Sequence, residues 1–474
     1  MTRGRHIGRS IACLVLLFAA DAHAAATLPN TAPLAWPETD LSARVMDGAH
    51  DFVERKITEA PAGRAALWHR DVSSPDAYVK SIEPNRERFR VIIGVVDPRL
   101  PPAMEQYGDD ANPALVAEND RFRILQVRWP VLTGLWGSGL LLQPKTAPRA
   151  HVVVVPDAAE TPEQVANLPA VRRLVENGCE VIIPLTISSA RIATDDAALR
   201  RSDQTYREWI YRQAFHMGRH IIGYEVQIVL GAIDWFKAQR GAAATIGVAG
   251  WAEGGLVAFY AAAVDPRIDA ALVSGYFGLR QRVWAEPIYR NVWSLLREFG
   301  DAEIASLVLP RGLVIEHSRV TDITDHKGER HTPALEEVRQ EIRRARDMGG
   351  VPARPNLVFG GESGVKPYSD PAVEIFARRL GLEERSGGFQ PANAIPNDLR
   401  RLEAAAPLAG ARHARLFAEL EGHVQLLVRQ SDRVRDKSFL HALLPELADT
   451  RWSTNRRHPL LSAEKFVEGA KGFR

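Results

Sequence analysis

Residues 245–277 read TIGVAGWAEGGLVAFYAAAVDPRIDAALVSGYF, an apolar strand followed by a glycine-rich turn, a helix and a second apolar strand. A strand that ends in such a turn and feeds a helix lifts one side chain above the sheet. In the pattern G-x-S-x-G that side chain is a serine nucleophile, and the next backbone N–H points at the oxyanion of the acyl intermediate. Here the turn is Gly250-Trp251-Ala252-Glu253-Gly254, followed by Gly255. The three glycines supply the room, Glu253 supplies the N–H, and a second donor is expected from the loop around Asp157 and Ala158. Ala252 takes the tip, and a methyl group cannot attack a carbonyl.

Other residues could carry chemistry in its place. Glu253, buried with a raised pKa, could act as a general base on water; paired with an arginine or capping its helix, it would be structural. His216 and His220 have the i, i+4 spacing of a zinc pair on one helix face, but the Glu of H-E-x-x-H and a third ligand are missing, so no metal is expected. The polar segment Glu316–His331 offers His317, His326 and His331 as a displaced catalytic histidine or as loop residues. His423 lies on an apolar stripe with Leu416, Leu420 and Leu427, the pattern of a docking helix. Tyr276, Arg280, Trp284, Tyr289 and Arg290 could line a sugar groove or pack as a cap. The glycine spacings fit neither a dinucleotide nor a phosphate loop, and no cofactor is expected.

The elements that must position these groups follow from periodicity. RFRILQVRWPVL (121–132) and GLWGSGLLLQP (134–144) read as an antiparallel pair, and HVVVVPDA (151–158) as a strand buried on both faces. Strands then alternate with helices: CEVIIPL at 179–185, a long helix over 206–239, TIGVAG at 245–250, AALVSGYF at 270–277, RGLVIEHS at 311–318, a helix over 333–348 and NLVFGG at 356–361. The expected fold is α/β, a mostly parallel sheet covered by helices on both faces after a leading hairpin. It is flanked by an N-terminal extension at 25–120, with a strand at FRVIIGVVD (89–97), and by a helical region or linker at 387–474; the core is placed at 121–386.

Residues 1–24 carry Arg3, Arg5 and Arg9, a short apolar run and the small-residue site Ala22-His23-Ala24, the order of a cleaved secretory signal. A periplasmic or secreted location is expected. Without that segment the formal charge falls from +2 to zero, because three Arg and one Asp leave with it. Nothing in this balance attracts nucleic acid or an anionic membrane. Cys179 alone remains of the two cysteines, so no internal disulfide is expected.

On the residues GWAEGG, DPRIDAALVSGYF and EFGDAEIASLVLPRGLVIEHS, the segment 121–379 resembles the α/β-hydrolase superfamily, in its bacterial acetyl-xylan-esterase and dienelactone-hydrolase branch. The resemblance implies a triad in the order nucleophile, acid, histidine. The acid would be Glu316, Asp322 or Asp325. The histidine would follow the last strand in a GGH-like turn, where FGGESGVKPYSDP places Glu362 instead. Two of three roles are then vacant. The expected protein is of carbohydrate-esterase type, impaired as a serine esterase, with an ester or polysaccharide-derived small molecule as ligand. Two rivals stay open: a glycan-binding protein or scaffold half of a tandem hydrolase, and a hydrolase rearranged around Glu253, Glu362 or a loop histidine. The ending SAEKFVEGAKGFR resembles the start of a linker to a second hydrolase module.

Overall fold

The computed structural model describes residues 40–110, 112–193, 203–325, 328–348, 355–382 and 406–435. The signal-like segment, His326 and the final linker-like stretch lie outside them. The chain divides between Arg55 and Lys56 into two units. The first contains the start of a helix, Leu41–Arg64. The sheet belongs to the second.

Its strands are β1 (Glu105–Gln106), β2 (Leu115–Glu118), β3 (Phe122–Leu132), β4 (Leu135–Pro144), β5 (Ala150–Val155), β6 (Cys179–Pro184), β7 (Ile246–Trp251), β8 (Ala270–Ser274), β9 (Gly312–Glu316), β10 (Ile323–Asp325), β11 (Gly328–Arg330) and β12 (Asn356–Val358). The main sheet runs β1-β3-β4-β6-β5-β7-β8-β9-β12, with β2 on the outer side of β3. The pairs β3–β4 and β4–β6 are antiparallel, and every pairing from β6 through β5, β7, β8 and β9 to β12 is parallel. This is the expected α/β arrangement, a mostly parallel sheet after a leading antiparallel pair.

The apolar runs explain why the strands lie in the middle. β5 and β6 are buried along their whole length. Because side chains alternate faces, Val153 and Val155 enter one core while Val152 and Val154 enter the other. The first core is closed by the helices Ile221–Arg240 and Glu253–Val264, the second by Pro169–Glu176 and Asp370–Arg379.

Two expectations are corrected. The apolar run at 89–97 is not a strand: Glu83–Ile92 is a helix with Pro84 in its first turn. Ile82, Arg86, Phe89 and Ile93 recur at helical spacing and are buried, Phe89 lying 5.0 Å from Tyr260. The long helix over 206–239 is two, Tyr206–Phe215 and Ile221–Arg240. His216 closes the first, while His220 caps the second with its Nδ1 accepting the Ile222 N–H at 3.1 Å. The two imidazoles therefore share no helix face. Among the described residues, no cluster of three or more His, Cys, Asp or Glu is placed to hold a metal, and no helix is long and apolar enough to cross a membrane.

The helix Ala406–Arg435 buries Leu416, Leu420 and Val424. Its Glu419 accepts the Trp136 N–H at 2.9 Å, and His423 Nδ1 lies 3.2 Å from the Thr133 carbonyl oxygen, so the helix docks on the β3–β4 turn.

Candidate active site at the β7 elbow

Three close approaches explain the glycines. A Cβ on Gly250 would lie 2.0 Å from the Gly254 carbonyl oxygen, one on Gly254 2.0 Å from that of Val155, and one on Gly255 2.7 Å from that of Ser274. Packed this tightly, the turn forces Ala252 to φ +52°, ψ −112°, a conformation that costs an L-residue about 1–3 kcal/mol. Its N–H donates to Ser274 at 3.0 Å, its carbonyl accepts the Leu256 N–H at 3.1 Å, and its side chain is fully buried. The strained elbow is built, with a methyl at its tip.

The oxyanion side differs from expectation. In the loop after β5 the Asp157 N–H donates to Glu160 Oε2 at 3.1 Å. The Asp157 carboxylate accepts the Glu253 N–H at 3.0 Å. A carboxylate thus occupies the hydrogen bond that would stabilise an acyl intermediate. Ala158 is buried, and its carbonyl accepts the Ser189 N–H at 3.0 Å.

The Glu253 side chain sits among arginines. Arg290 Nε donates to its Oε1 at 2.7 Å, Arg330 Nη1 stands 3.5 Å away, and Arg207 reaches 4.0 Å from Oε2. Arg330 also donates to Asp157 Oδ1 at 3.3 Å, tying the two carboxylates together. Burial alone would raise the Glu253 pKa, but Arg290, Arg207 and Arg330 outweigh it and hold the carboxyl below its ordinary value. The shift is opposite to the one a general base near neutrality requires, and the arginine pairing is the structural alternative.

Strand β9 ends in Glu316, which is buried and serves the next loop. It accepts the Ser274 hydroxyl at 2.5 Å, the Tyr368 N–H at 2.8 Å, and both the N–H and hydroxyl of Ser369 at 2.8 and 2.6 Å. No histidine is among these partners. Asp322 is exposed, with His331 Nδ1 at 3.4 Å. His317 is buried, its Nε2 2.8 Å from the Pro333 carbonyl oxygen. Glu362 is exposed, and Asp325 ends β10.

Two cavities flank the elbow. One, about 290 Å³, is walled by Tyr276, Arg280, Glu286, Arg290, Arg330 and His331 among others. Three of the five expected groove residues are therefore together, but their polar groups are engaged: Arg280 with Asp301 and Glu286 at 3.0 Å each, Arg290 with Glu286 at 2.6 Å, and the Tyr276 hydroxyl with that of Tyr260 at 3.2 Å. Trp284 is exposed, and Tyr289 is buried under the Arg207 guanidinium.

The other cavity is larger, about 820 Å³, and includes Trp251, Glu160, Arg319, Lys366 and Tyr368. None of these was expected from sequence. The one available signal was the polar turn KPYSDP, which follows the last strand where a catalytic loop belongs. Ala252 is in the wall of neither cavity.

The sequence matches no family model and no curated protein. Solved structures similar to it include a proposed acetyl xylan esterase from Bacteroides fragilis, at 14% identity and a TM-score of 0.47 over 77% of this chain and 94% of that one. Acetyl xylan esterase 1 from Thermoanaerobacterium is similar at 13% identity and 0.38, over 67% and 97%. A glucuronoyl esterase from Solibacter usitatus is similar at 15% identity and 0.42, over 65% and 94%.

Proposed function

We propose that this chain is a secreted α/β-hydrolase-fold protein of carbohydrate-esterase type that performs no serine-esterase chemistry at its elbow. It instead binds an ester or polysaccharide-derived small molecule. The observation that carries this reading is the pairing at the turn: Ala252 at the tip, and the adjacent Glu253 N–H committed to Asp157 at 3.0 Å. Acyl transfer needs a nucleophile and a free oxyanion donor, and either loss alone removes most of the rate. The residual catalysis of a triad enzyme stripped of its triad comes from oxyanion donors and binding. Here the remaining donor is also taken.

Secretion is supported by the basic, apolar and small-residue order of residues 1–24. The binding role is supported by the two cavities beside the elbow. No nucleic acid or membrane partner is proposed, and a second hydrolase module is the macromolecular partner proposed.

The test is ester turnover by the purified chain on 4-nitrophenyl acetate and acetylated xylan. Release at the rate of a heat-denatured control is expected. Turnover above that control would overturn the reading in favour of a rearranged hydrolase.

A further inference from the structure

The 820 Å³ cavity lies between the loop after β5, the end of β7, the loop after β9 and the turn before helix Asp370–Arg379. That volume is within the range of small-molecule sites, which combine an apolar lining with a few convergent polar groups. Leu168, Pro169, Ala170, Val320 and Pro367 provide the apolar wall, and the Trp251 indole is pinned by its Nε1 donating to the Arg319 carbonyl at 2.8 Å.

Tyr368 is the unusual member. It is 8% exposed, yet its hydroxyl is buried with no hydrogen-bond partner among the described residues. A buried phenol left without an acceptor is costly in a native fold unless something else completes it. Its backbone is held at φ +56°, rare for a bulky residue, and both the Tyr368 N–H and Ser369 are fixed by Glu316. Three hydrogen bonds accepted by a buried carboxylate therefore hold this turn, and Tyr368 with its unpartnered hydroxyl, at the cavity wall.

The charge on the wall favours an anion. Arg319 and Lys366 contribute cations, whereas Arg173 is already bound to Asp370 and Glu374 at 3.0 and 2.8 Å. Of the acidic groups, Asp370 is so engaged. Burial pushes the Glu160 carboxyl up to about 7; a hydrogen bond from the Asp157 N–H holds it back, and the Asp157 charge adds to the rise. Below neutrality Glu160 is therefore a neutral group beside Asp157 and Tyr368, in a wall it shares with Arg319, Lys366 and the Arg173–Asp370 pair, and Glu316 and Asp157 also act on Tyr368.

We propose that this cavity binds a small carboxylic acid with an apolar ring body, its ring against Trp251 and its carboxylate met by the Tyr368 hydroxyl and the Arg319 and Lys366 cations. The proposal gives the binding role a ligand class, and rests on that reading only for the statement that the protein binds a small molecule beside the elbow. The cavity does not include Ala252, so the ligand would remain even with an active elbow.

Isothermal titration of the full chain with sodium benzoate tests it, beside benzamide as the neutral ring and methyl β-xyloside as the sugar. Saturable one-to-one binding of benzoate is expected, at least tenfold tighter than either control. Tyr368→Phe, which keeps the ring, is expected to weaken it by about tenfold, the loss of one hydrogen bond to a charged acceptor. Glu160 gives a second readout: affinity is expected to fall by about tenfold between about pH 6 and about pH 8 as this carboxyl ionises, and the fall is expected to vanish in Glu160→Gln.

The proposal is overturned by no saturable benzoate binding, by equal or tighter binding of benzamide or the xyloside, or by a Tyr368→Phe variant with unchanged affinity and an unchanged melting curve. Ester turnover by the wild type would remove the proposed function and leave this ligand in place. Absence of benzoate binding would do the reverse.

Discussion

The Asp157 carboxylate accepts the backbone N–H of Glu253 at 3.0 Å. In a working elbow that N–H would wait for the charge that develops on a substrate oxygen; here a side-chain carboxyl oxygen is already in its place. Arg330 sits behind it at 3.3 Å and Arg290 donates to Glu253's own side chain at 2.7 Å, so the arrangement is a buried ion network.

Removing the acceptor should therefore cost stability. Asp157→Ala leaves a buried N–H without a partner and takes a counter-charge from Arg330, an expected loss of about 1–3 kcal/mol. Asp157→Asn keeps an acceptor oxygen and should lose less. Urea unfolding followed by circular dichroism measures both; equal losses would show that the hydrogen bond to Glu253 contributes little.

Glu253→Gln is expected to be more severe. It leaves Arg290 facing a neutral amide in a site from which water is excluded, with Arg330 and Arg207 nearby. Breaking a buried ion pair from one side typically costs about 3–5 kcal/mol. A change below about 1 kcal/mol in urea, the size typical of exposed ion pairs, would mean that the network is not stabilising as drawn.

Ala252→Gly tests the strain at the tip. At an ordinary helical position this change destabilises, but at φ +52° glycine is the residue that fits. Relief of about 1–3 kcal/mol of strain is set against about 0.8 kcal/mol for the buried methyl. Stability equal to or above wild type is expected. A loss of more than about 1 kcal/mol, the ordinary penalty for glycine, would contradict the elbow geometry.

His220 predicts a pH dependence. Its Nδ1 accepts the Ile222 N–H at 3.1 Å and its Nε2 faces the Asn291 carbonyl oxygen at 3.2 Å, which assigns the single proton to Nε2. Burial, with the Arg207 charge, lowers its pKa to about 4 from an ordinary 6.5, although the Asn291 contact opposes the fall. A histidine depressed in the folded state contributes fully above about 6.5, and its contribution is lost as pH falls from there toward about 4. The difference in unfolding free energy between wild type and His220→Asn should shrink by up to roughly 3 kcal/mol over that window. A difference constant with pH would rule out a neutral buried His220.

Much of the fold was legible because its signals are local. The valines of β5 alternate between two cores, so a continuous apolar run at 151–155 could only be an interior strand. Gly250, Gly254 and Gly255 could be read as a tight elbow because each is demanded by a backbone contact under 3 Å. The run at 89–97 misled because a short apolar stretch satisfies both periods, and its helical face shows only against Tyr260, far along the chain. The site was less legible still. Glu253 meets Asp157 96 residues earlier and Arg330 77 residues later, and no spacing rule links them. Tyr368 has an ordinary sequence context, and only its backbone angle and lone hydroxyl set it apart.

The most direct measurement is the rate at which Ala252→Ser hydrolyses 4-nitrophenyl acetate, compared with wild type. With the Glu253 N–H held by Asp157 and no histidine among the partners of Glu316, the added hydroxyl has neither a base nor a free oxyanion donor. A rate unchanged from wild type is expected. A gain of about a hundredfold, the size one oxyanion donor supplies, would show that a working acid, histidine and donor already surround the elbow, and would contradict its vacancy.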